Sequence, residues 1–290
     1  PEDGIRDVER SRGLGDVYKR QIEGPAVNLN SRMQWVGVED APITNFLILH
    51  LPQKKNATLG FTVQNDRVYV ENKTFATIDY SYKLQVSDNS SIYLGLKAGA
   101  LLNNINANKI SRSYTYANTS LATLENYFSP ILGIGFTYVS DKFFVGGAIP
   151  GLINKLGYNE EWAMTNRDFT QLHLSGGYSL NLSDKIDIKP TISYRSFRVG
   201  PDLLNGIVEV DYNKRLSLGG IFTNNNTLGG FFKIKTNKGL HLGYGYEFPS
   251  GSDDISIDSS THEFMIRIDL KEKVISNSDS INKETMEDEN

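Results

Sequence analysis

The sequence contains no cysteine, which excludes disulfides, thiol nucleophiles and zinc sites with cysteine ligands. No apolar run reaches the roughly 18 residues that a transmembrane helix needs, so no such helix is predicted. The net charge of −4 offers no basic stripe, and no nucleic-acid partner is expected. These absences leave a soluble protein or a membrane β-barrel, whose strands carry a weaker hydrophobic signal than helices do.

The two ends of the sequence differ from the rest. Residues 1–21 are charged and lack the apolar segment of a signal peptide; they resemble a translated sequencing adapter, with a polar disordered arm as the alternative. Residues 271–290 are polar, acidic at the end and without apolar periodicity, which predicts a disordered tail. We therefore expect one folded unit over residues 22–270, with the native signal peptide missing from this chain.

Between these ends, apolar and polar residues alternate. The stretches "ATLGFTVQND", "FATIDYSYKLQV" and "GLHLGYGYEF" all place apolar side chains on one face and Gly, Ser, Thr or charged side chains on the other. These stretches are longer than the average globular strand of about 5–6 residues. A lipid-facing apolar face and a polar lumen explain both features. The predicted fold class is all-β: a transmembrane antiparallel β-barrel of about 14 strands, of the outer-membrane type.

Connections of two kinds separate the strands. Short turns such as "YVSDKFF" and "VDYNKRL" alternate with longer polar connections at 103–125, 150–168, 198–206 and 249–261. Aromatic residues near the strand ends suit the girdles at the two membrane interfaces. One of the segments 110–118 and 206–213 is expected to be a loop. The predicted strands are 26–36, 43–51, 57–66, 73–86, 91–102, 110–118, 129–139, 142–149, 169–182, 186–198, 206–213, 215–223, 227–236 and 239–248, with 262–270 as a fifteenth candidate.

No recognisable catalytic set is present in the sequence. Each of the four histidines stands alone in a strand-like stretch, which favours isolated lumen or rim residues over a metal site. Adjacent loop carboxylates such as Glu160 and Glu161 are not held across a cleft. There is no nucleophile elbow, phosphate-binding loop or dinucleotide fingerprint. The sequence predicts no enzyme activity, no cofactor and no metal.

The stretch "SRMQWVGVEDAPITNFLILHLP" resembles the signature of the PorP/SprF family, outer-membrane proteins of the type IX secretion system of Bacteroidota. The resemblance continues through "LGFTVQNDRV", "FFVGGAIPGLINK" and "IKPTISYRSF" to the closing "STHEFMIRIDL", and it spans residues 28–270 approximately. It implies structural or partner-contact roles for the signature residues Arg32, Gln34, Trp35, Gly37, Pro42, Asn65, Asp66, Pro150, Pro190, His262 and Glu263.

The resemblance also implies a function. It describes a non-enzymatic component of the bacterial outer membrane that supports secretion or surface attachment of cargo. The implied partners are a secreted gliding adhesin or its type B C-terminal sorting domain, the type IX machinery with its periplasmic lipoprotein ring, and outer-membrane lipid. The barrel itself is expected to be monomeric. Two alternatives stay open: a general or substrate-specific channel for small solutes, and an enzyme with a Ser–His pair facing the lumen.

The signature stretch also contains a turn signal. Trp35 is expected at a rim of the barrel, on the boundary between polar and apolar surroundings. Gly37, Asp40 and Pro42 are expected to form the turn between the first two strands, with Pro42 fixing φ at the entry to the second. A partner contact by Arg32 and Trp35 is a hypothesis that the sequence alone does not test.

Overall fold

Strands account for all the regular structure in the computed structural model, which describes residues 24–106, 126–152, 170–197, 200–250 and 260–270. In these ranges no helix is long and apolar enough to cross a membrane. The strands are β1 (Ala26–Gln34), β2 (Ile43–His50), β3 (Ala57–Val68), β4 (Glu71–Ser87), β5 (Ser90–Ile105), β6 (Tyr127–Ser140), β7 (Phe143–Ile149), β8 (Thr170–Tyr178), β9 (Leu180–Ser183), β10 (Ile186–Phe197), β11 (Leu203–Tyr212), β12 (Leu216–Thr223), β13 (Thr227–Lys235), β14 (Leu240–Pro249) and β15 (Thr261–Asp269).

The strands form one closed ring. Neighbours along the chain pair antiparallel, and the ring closes between β15 and β1, whose ladder runs from the Ala26–Asp269 pair to the Gln34–Thr261 pair. β8 and β9 occupy a single position in the ring, because both pair with β10. The result is a closed antiparallel barrel of 14 strands, which confirms the predicted fold class.

The break between β8 and β9 splits the predicted strand 169–182 into two segments. β8 ends at Tyr178 and β9 begins at Leu180, and the register places Pro190 of β10 at this break. Proline has no amide hydrogen to donate to a β-ladder, so a ladder is weakened where proline faces it. The interruption therefore lies next to the residue of β10 that has no amide hydrogen to donate.

Alternate side chains point into and out of the barrel. On β3, Thr62 and Gln64 are buried. Phe61 and Val63, which alternate with them along the strand, are 40% and 42% exposed. The predicted alternation is thus confirmed, with the polar face lining the lumen and the apolar face outside. Exposed apolar side chains around the whole outer wall are the arrangement that barrels adopt in hydrocarbon.

Apolar side chains fill parts of the lumen. Two groups of inward residues are buried against one another, one on β4–β6 and one on β11–β13. The barrel interior is therefore packed in places and is not simply a water-lined tube. The groups are Phe75, Leu101 and Ile131, and Ile207, Ile221 and Phe231.

The two rims of the barrel differ in the length of their connections. The short-turn rim carries 51–56, 88–89, 141–142, 184–185, 213–215 and 236–239, together with residues 24 and 270. The long-loop rim carries 35–42, 69–70, 224–226 and the connections that follow β5, β7, β10 and β14. Outer-membrane barrels place short turns in the periplasm and longer loops outside the cell. The predicted alternation of short turns and longer loops is confirmed.

Some predicted boundaries are wrong in detail. β5 extends through residue 105 and β11 begins at residue 203, so the predicted loops at 103–125 and 198–206 include strand residues. The predicted strand 206–213 belongs to β11 and is therefore no loop. The other doubtful segment, 110–118, lies outside the described residues; β5 pairs directly with β6. The predicted arm 1–21 and tail 271–290 also lie outside the described residues.

Aromatic side chains mark both rims on the outer face. The rings of Tyr138 and Phe143 lie 5.6 Å apart at the short-turn rim. Those of Tyr246 and Phe248 lie 5.9 Å apart near the long-loop rim. Aromatic rings with polar tips favour the membrane–water interfaces, so these positions match the expected girdles.

Candidate functional site

Arg32 forms the centre of a buried ion cluster inside the barrel. Its side chain is 1% exposed, and its Nη1 and Nη2 each donate a 3.0 Å hydrogen bond to the carboxylate of Glu247. Nη1 also lies 3.4 Å from Oε2 of Glu263, whose Oε1 accepts a 2.5 Å hydrogen bond from Nδ2 of Asn30. We call Asn30, Arg32, Glu247 and Glu263 the seam cluster, because it ties β1 to β14 and β15.

The strand register explains how this cluster forms. Arg32 lies directly opposite Glu263 in the β1–β15 ladder. On the other side of β15, the residue opposite Glu263 is Gly245, which has no side chain. The inner surface next to Glu247 therefore stays open, and the guanidinium of Arg32 reaches across β15 to it. A long, planar cation with several donors suits this double contact.

The seam cluster continues into a row of polar side chains. The register places one inward residue of each strand from β15 through β1 to β5 directly opposite the next. The order acidic, basic, uncharged occurs twice along this row. Every member of the row is at most 9% exposed. The row therefore closes this part of the wall to solvent with complementary charges. Its members are Glu263, Arg32, Thr44, Asp66, Lys73 and Asn103, which we call the inner row.

More ion pairs line the lumen towards the short-turn rim. Lys233 Nζ lies 2.6 Å from the carboxylate of Glu209, and both side chains are almost fully buried. Because a charge is costly to bury alone, each of these groups depends on its partner. Other ion pairs in this region are Lys189 with Asp211 and Arg267 with Asp269, and His241 Nε2 lies within hydrogen-bond distance, 2.8 Å, of the Asp269 carboxylate.

Two buried amides lie near the long-loop rim. Gln34 and Asn103 are each 1% exposed, and neither side chain has a hydrogen-bond partner within the described ranges. Buried polar groups in proteins are normally completed by protein, water or a bound polar group. Buried water would complete the hydrogen bonds of these two amides.

The β1–β2 hairpin forms as the sequence predicts. Gln34 N donates a 3.0 Å hydrogen bond to the carbonyl of Pro42, which closes the hairpin, and Pro42 is fully buried. Gly37 and Asp40 both have positive φ, 102° and 56°, in the region that favours Gly, Asn and Asp. The hairpin reaches the next one through a 3.2 Å hydrogen bond from Tyr69 N to the carbonyl of Asp40.

Trp35 begins this turn at the long-loop rim. Its φ is 50°, which is rare for a bulky residue, and β1 ends one residue before it. The predicted strand 26–36 is therefore two residues too long. Trp35 N donates a 2.9 Å hydrogen bond to the carbonyl of Ser260, just before β15. Trp35 thus connects the first hairpin to the last strand, and its predicted rim position is confirmed.

The remaining signature residues divide between the two faces. Asp66 and Glu263 join Arg32 in the inner row, whereas Asn65 and His262 project from the outer face. His262 Nδ1 lies 2.9 Å from the Tyr244 hydroxyl there. Pro150 lies in the turn that follows β7, and Pro190 lies at the β8–β9 break, so neither contributes to the inner row.

The sequence prediction did not include two charged residues of this site, Glu247 and Lys73. Glu247 is the only acid on the inward side of "GLHLGYGYEF", and the inward residues before it are glycines. A single acid next to glycines could have been recognised from the sequence as a candidate site residue. Alternation shows which face a residue occupies but not which residue it meets on the next strand. No pattern in the sequence linked Lys73 to Asp66.

A cavity opens in the lumen beside β4–β8. Its volume is about 180 Å³, and Gly95, Gly135 and Gly146 leave bare backbone in its wall. Its polar lining comes from Ser81, Tyr93, Thr137, His173 and Ser175. Within the described ranges, no three His, Asp or Glu side chains are grouped so that they could hold a metal ion.

At the long-loop rim, Tyr194 donates a hydrogen bond to Asp202, which precedes β11. This bond lowers the pKa of the Asp202 carboxyl below its ordinary value, because it stabilises the ionised form.

A family profile described as "Type IX secretion system membrane protein PorP/SprF" matches residues 20–268, nearly the whole barrel. The chain belongs to the PorP/SprF family. The match confirms the resemblance that the signature residues indicated. Membership makes this PorP/SprF barrel a membrane component of the type IX secretion system. No curated protein sequence matches the chain.

Solved outer-membrane structures share the architecture of this PorP/SprF barrel. The outer membrane protein Omp33 of Acinetobacter baumannii is 9% identical, with a TM-score of 0.51 over 85% of this chain and 98% of its own. The TodX deltaS2S3 mutant monoaromatic hydrocarbon channel is 8% identical, with a TM-score of 0.50 over 86% of this chain and 90% of its own. At these identities the likeness shows the fold alone.

Proposed function

We propose that this PorP/SprF barrel supports the secretion or surface attachment of a cargo protein and catalyses no reaction. The observation that carries the proposal is the contrast between the lumen and the long-loop rim. Buried polar side chains close the wall at the seam cluster and the inner row, whereas Val36, Val38 and Tyr69 are exposed apolar side chains at the long-loop rim. A barrel built in this way is suited to holding a polypeptide at one end.

The proposed partners follow from the family. The cargo is a secreted adhesin of the gliding type or its type B C-terminal sorting domain. It would bind at the long-loop rim, which we place outside the cell, while the short-turn rim would face the secretion machinery and its periplasmic lipoprotein ring. The outer wall would contact outer-membrane lipid. This orientation rests on the general rule for the two rims of such barrels.

The β1–β2 hairpin is the proposed contact surface for cargo. Val36 and Val38 are 45% and 41% exposed at its tip, and Tyr69 of the adjoining turn is 45% exposed. Exposed apolar side chains grouped above the strands are typical of a binding surface. We assign Arg32 a structural role instead, because a residue that is 1% exposed is inaccessible to a partner from outside.

Display of the cargo at the cell surface tests this proposal. In a strain that lacks the native gene, the wild-type chain should restore surface cargo, and the V36S/V38S variant should restore less. Val86→Ser is the matched control, because Val86 is an exposed valine at the opposite rim. Equal display by all three proteins would contradict the hairpin contact. Recovery of the native protein in the soluble fraction would contradict the outer-membrane location itself.

A second candidate function is a channel for small solutes. The cavity of about 180 Å³ and its glycine wall favour it, because bare backbone leaves space in the lumen. Planar-bilayer recordings on the purified barrel separate the two functions. Single-channel steps would favour transport, whereas a silent barrel that still displays cargo in cells would favour the secretion role.

A further inference from the structure

The turns at the short-turn rim are basic. Five of its six turns carry Lys or Arg, and together the six turns hold seven cations against three acids. All seven cations are exposed to solvent. They are Lys54, Lys55, Lys142, Lys185, Lys214, Arg215 and Lys238, which we call the basic ring.

The long-loop rim has the opposite balance of charge. Its connections hold ten acids and five Lys or Arg. The chain as a whole carries a net charge of −4, so the basic ring does not follow from overall composition. The cations are concentrated at one end of the barrel. The connections counted are 35–42, 69–70, 106–126, 150–169, 198–202, 224–226 and 250–260.

The charges of the basic ring are not neutralised by the barrel itself. Cations in the lumen face carboxylates, as Arg32 faces Glu247 and Lys233 faces Glu209. Within the described ranges, no member of the basic ring forms an ion pair. Asp141, an acid of the same rim, accepts a hydrogen bond from the Asn89 amide instead. The basic ring therefore offers its charge to something outside the chain.

Two lysines of the basic ring occupy positions that the backbone makes unfavourable for them. Lys55 and Lys214 both have a φ of 54°, in the region that favours Gly, Asn and Asp. Asparagine or glycine would form these tight turns at lower cost. Lysine contributes nothing to such a turn, so the reason for its presence lies in its side chain.

Aromatic residues place the basic ring at the surface of the membrane. Lys142 directly precedes Phe143, which is 42% exposed on the outer face and lies 5.6 Å from the Tyr138 ring. Tyr212, 48% exposed on the same face, directly precedes the turn that contains Lys214. Such aromatic residues mark the boundary between hydrocarbon and head groups. The long cationic side chains just beyond them can therefore reach the depth of the head groups.

The distribution of the basic ring indicates what it contacts. Its members follow one another around the rim from turn 51–56 to turn 236–239, and only turn 88–89 has none. A protein partner of ordinary size contacts one sector of a surface, whereas a lipid leaflet surrounds the whole barrel. The anion at this depth is the phosphate of phospholipids, which Lys and Arg bind readily. Clusters of about four to eight such cations beside a membrane attract anionic lipids.

We propose that the basic ring binds the head groups of anionic phospholipids in the leaflet at the short-turn rim. In the orientation given above this is the periplasmic leaflet, and the contact would fix the depth of the barrel in the membrane. The proposal requires that the outer wall faces lipid, but it does not depend on the cargo role. Loss of the lipid contact would therefore leave the proposed cargo function untouched.

Spin-labelled lipids in vesicles that contain the full chain test this contact. In phosphatidylcholine vesicles, the fraction of label immobilised by the barrel should be larger for phosphatidylglycerol than for phosphatidylcholine. The variant K55N/K142Q/K185Q/K214N should lose most of this preference, because each cation near an anionic surface contributes roughly fivefold to binding. Asparagine suits the positive φ at residues 55 and 214, so the variant should fold and shift on unheated gels.

Two controls separate charge and position from other effects. The variant K55R/K142R/K185R/K214R keeps all four charges and should keep the preference. Arg67→Asn removes an exposed cation at the opposite rim and should also keep it. Equal immobilisation of both labels by the wild-type barrel would overturn the proposal and leave a soluble acidic partner as the occupant. An undiminished preference in the folded Asn/Gln variant, or its loss in the arginine variant, would overturn it as well.

Discussion

The guanidinium of Arg32 and the carboxylate of Glu247 share two parallel 3.0 Å hydrogen bonds, although 215 positions separate them in the chain. Arg32 is on the first strand and Glu247 on the last strand but one. The contact exists only when β15 lies between them and the ring is closed. The pair is therefore both a buried ion bridge and a mark of barrel closure.

Arg32→Ala should strongly destabilise the barrel. It leaves Glu247 and Glu263 buried without their cation, and removing one partner of a buried ion pair typically costs about 3–5 kcal/mol. The urea midpoint of the barrel in lipid vesicles, followed by gel shift, measures the loss. The R32M/E247L/E263L variant is the control, since an apolar replacement of the whole cluster should recover most of the stability. An unchanged midpoint for Arg32→Ala would contradict this account.

Trp35→Ala should impair barrel assembly or cargo display. The indole is lost from the rim, and the positive φ of 50° remains unfavourable for alanine. Trp35→Gly separates the two effects, because glycine adopts positive φ without strain and also lacks the ring. If the ring matters, both variants should reduce surface cargo by a similar factor. Normal display by both variants would reject a role for this side chain.

Gly219→Val should destabilise the barrel through a clash with Phe231. A Cβ at Gly219 would overlap the Phe231 ring, which lies against the glycine inside the lumen. Overpacking of this kind costs typically about 1–3 kcal/mol. The double variant G219V/F231A should lose less stability than the sum of the losses in G219V and F231A, because it removes the ring that clashes. Thermal unfolding in detergent measures both, and independent, additive losses would show that the two sites do not interact.

Leu96→Arg should destabilise the barrel far more than Val86→Arg. Both side chains are exposed on the outer face, but Leu96 lies in the middle of the β4–β6 wall and Val86 near the short-turn rim. Arginine on the lipid face costs about 2–4 kcal/mol at the bilayer midplane and about 0–1 near the interfaces. Equilibrium unfolding from vesicles measures the difference. Equal, small effects would mean that the outer wall does not face hydrocarbon.

The strands, the two faces and the turns were predictable because their causes are local. Phe61 and Val63 alternate with Thr62 and Gln64, and a period of two admits only one kind of element. Gly37 and Asp40 indicated the first turn because few residues adopt its backbone angles. Boundaries were less certain: the predicted first strand included Trp35, which already has the backbone of a turn.

By itself, the sequence determined that this protein is a β-barrel of the outer-membrane type and a member of the PorP/SprF family. Alternation and ordered short motifs are properties of residues that are close in sequence, so they can be recognised without a structure. Only the tertiary structure decided that Arg32 meets Glu247 and that Asp66 faces Lys73. It alone also aligned the side chains of the inner row, from Glu263 on β15 to Asn103 on β5. The physical reason is register: every strand offers two faces, but closure of the ring chooses which residues face each other across them.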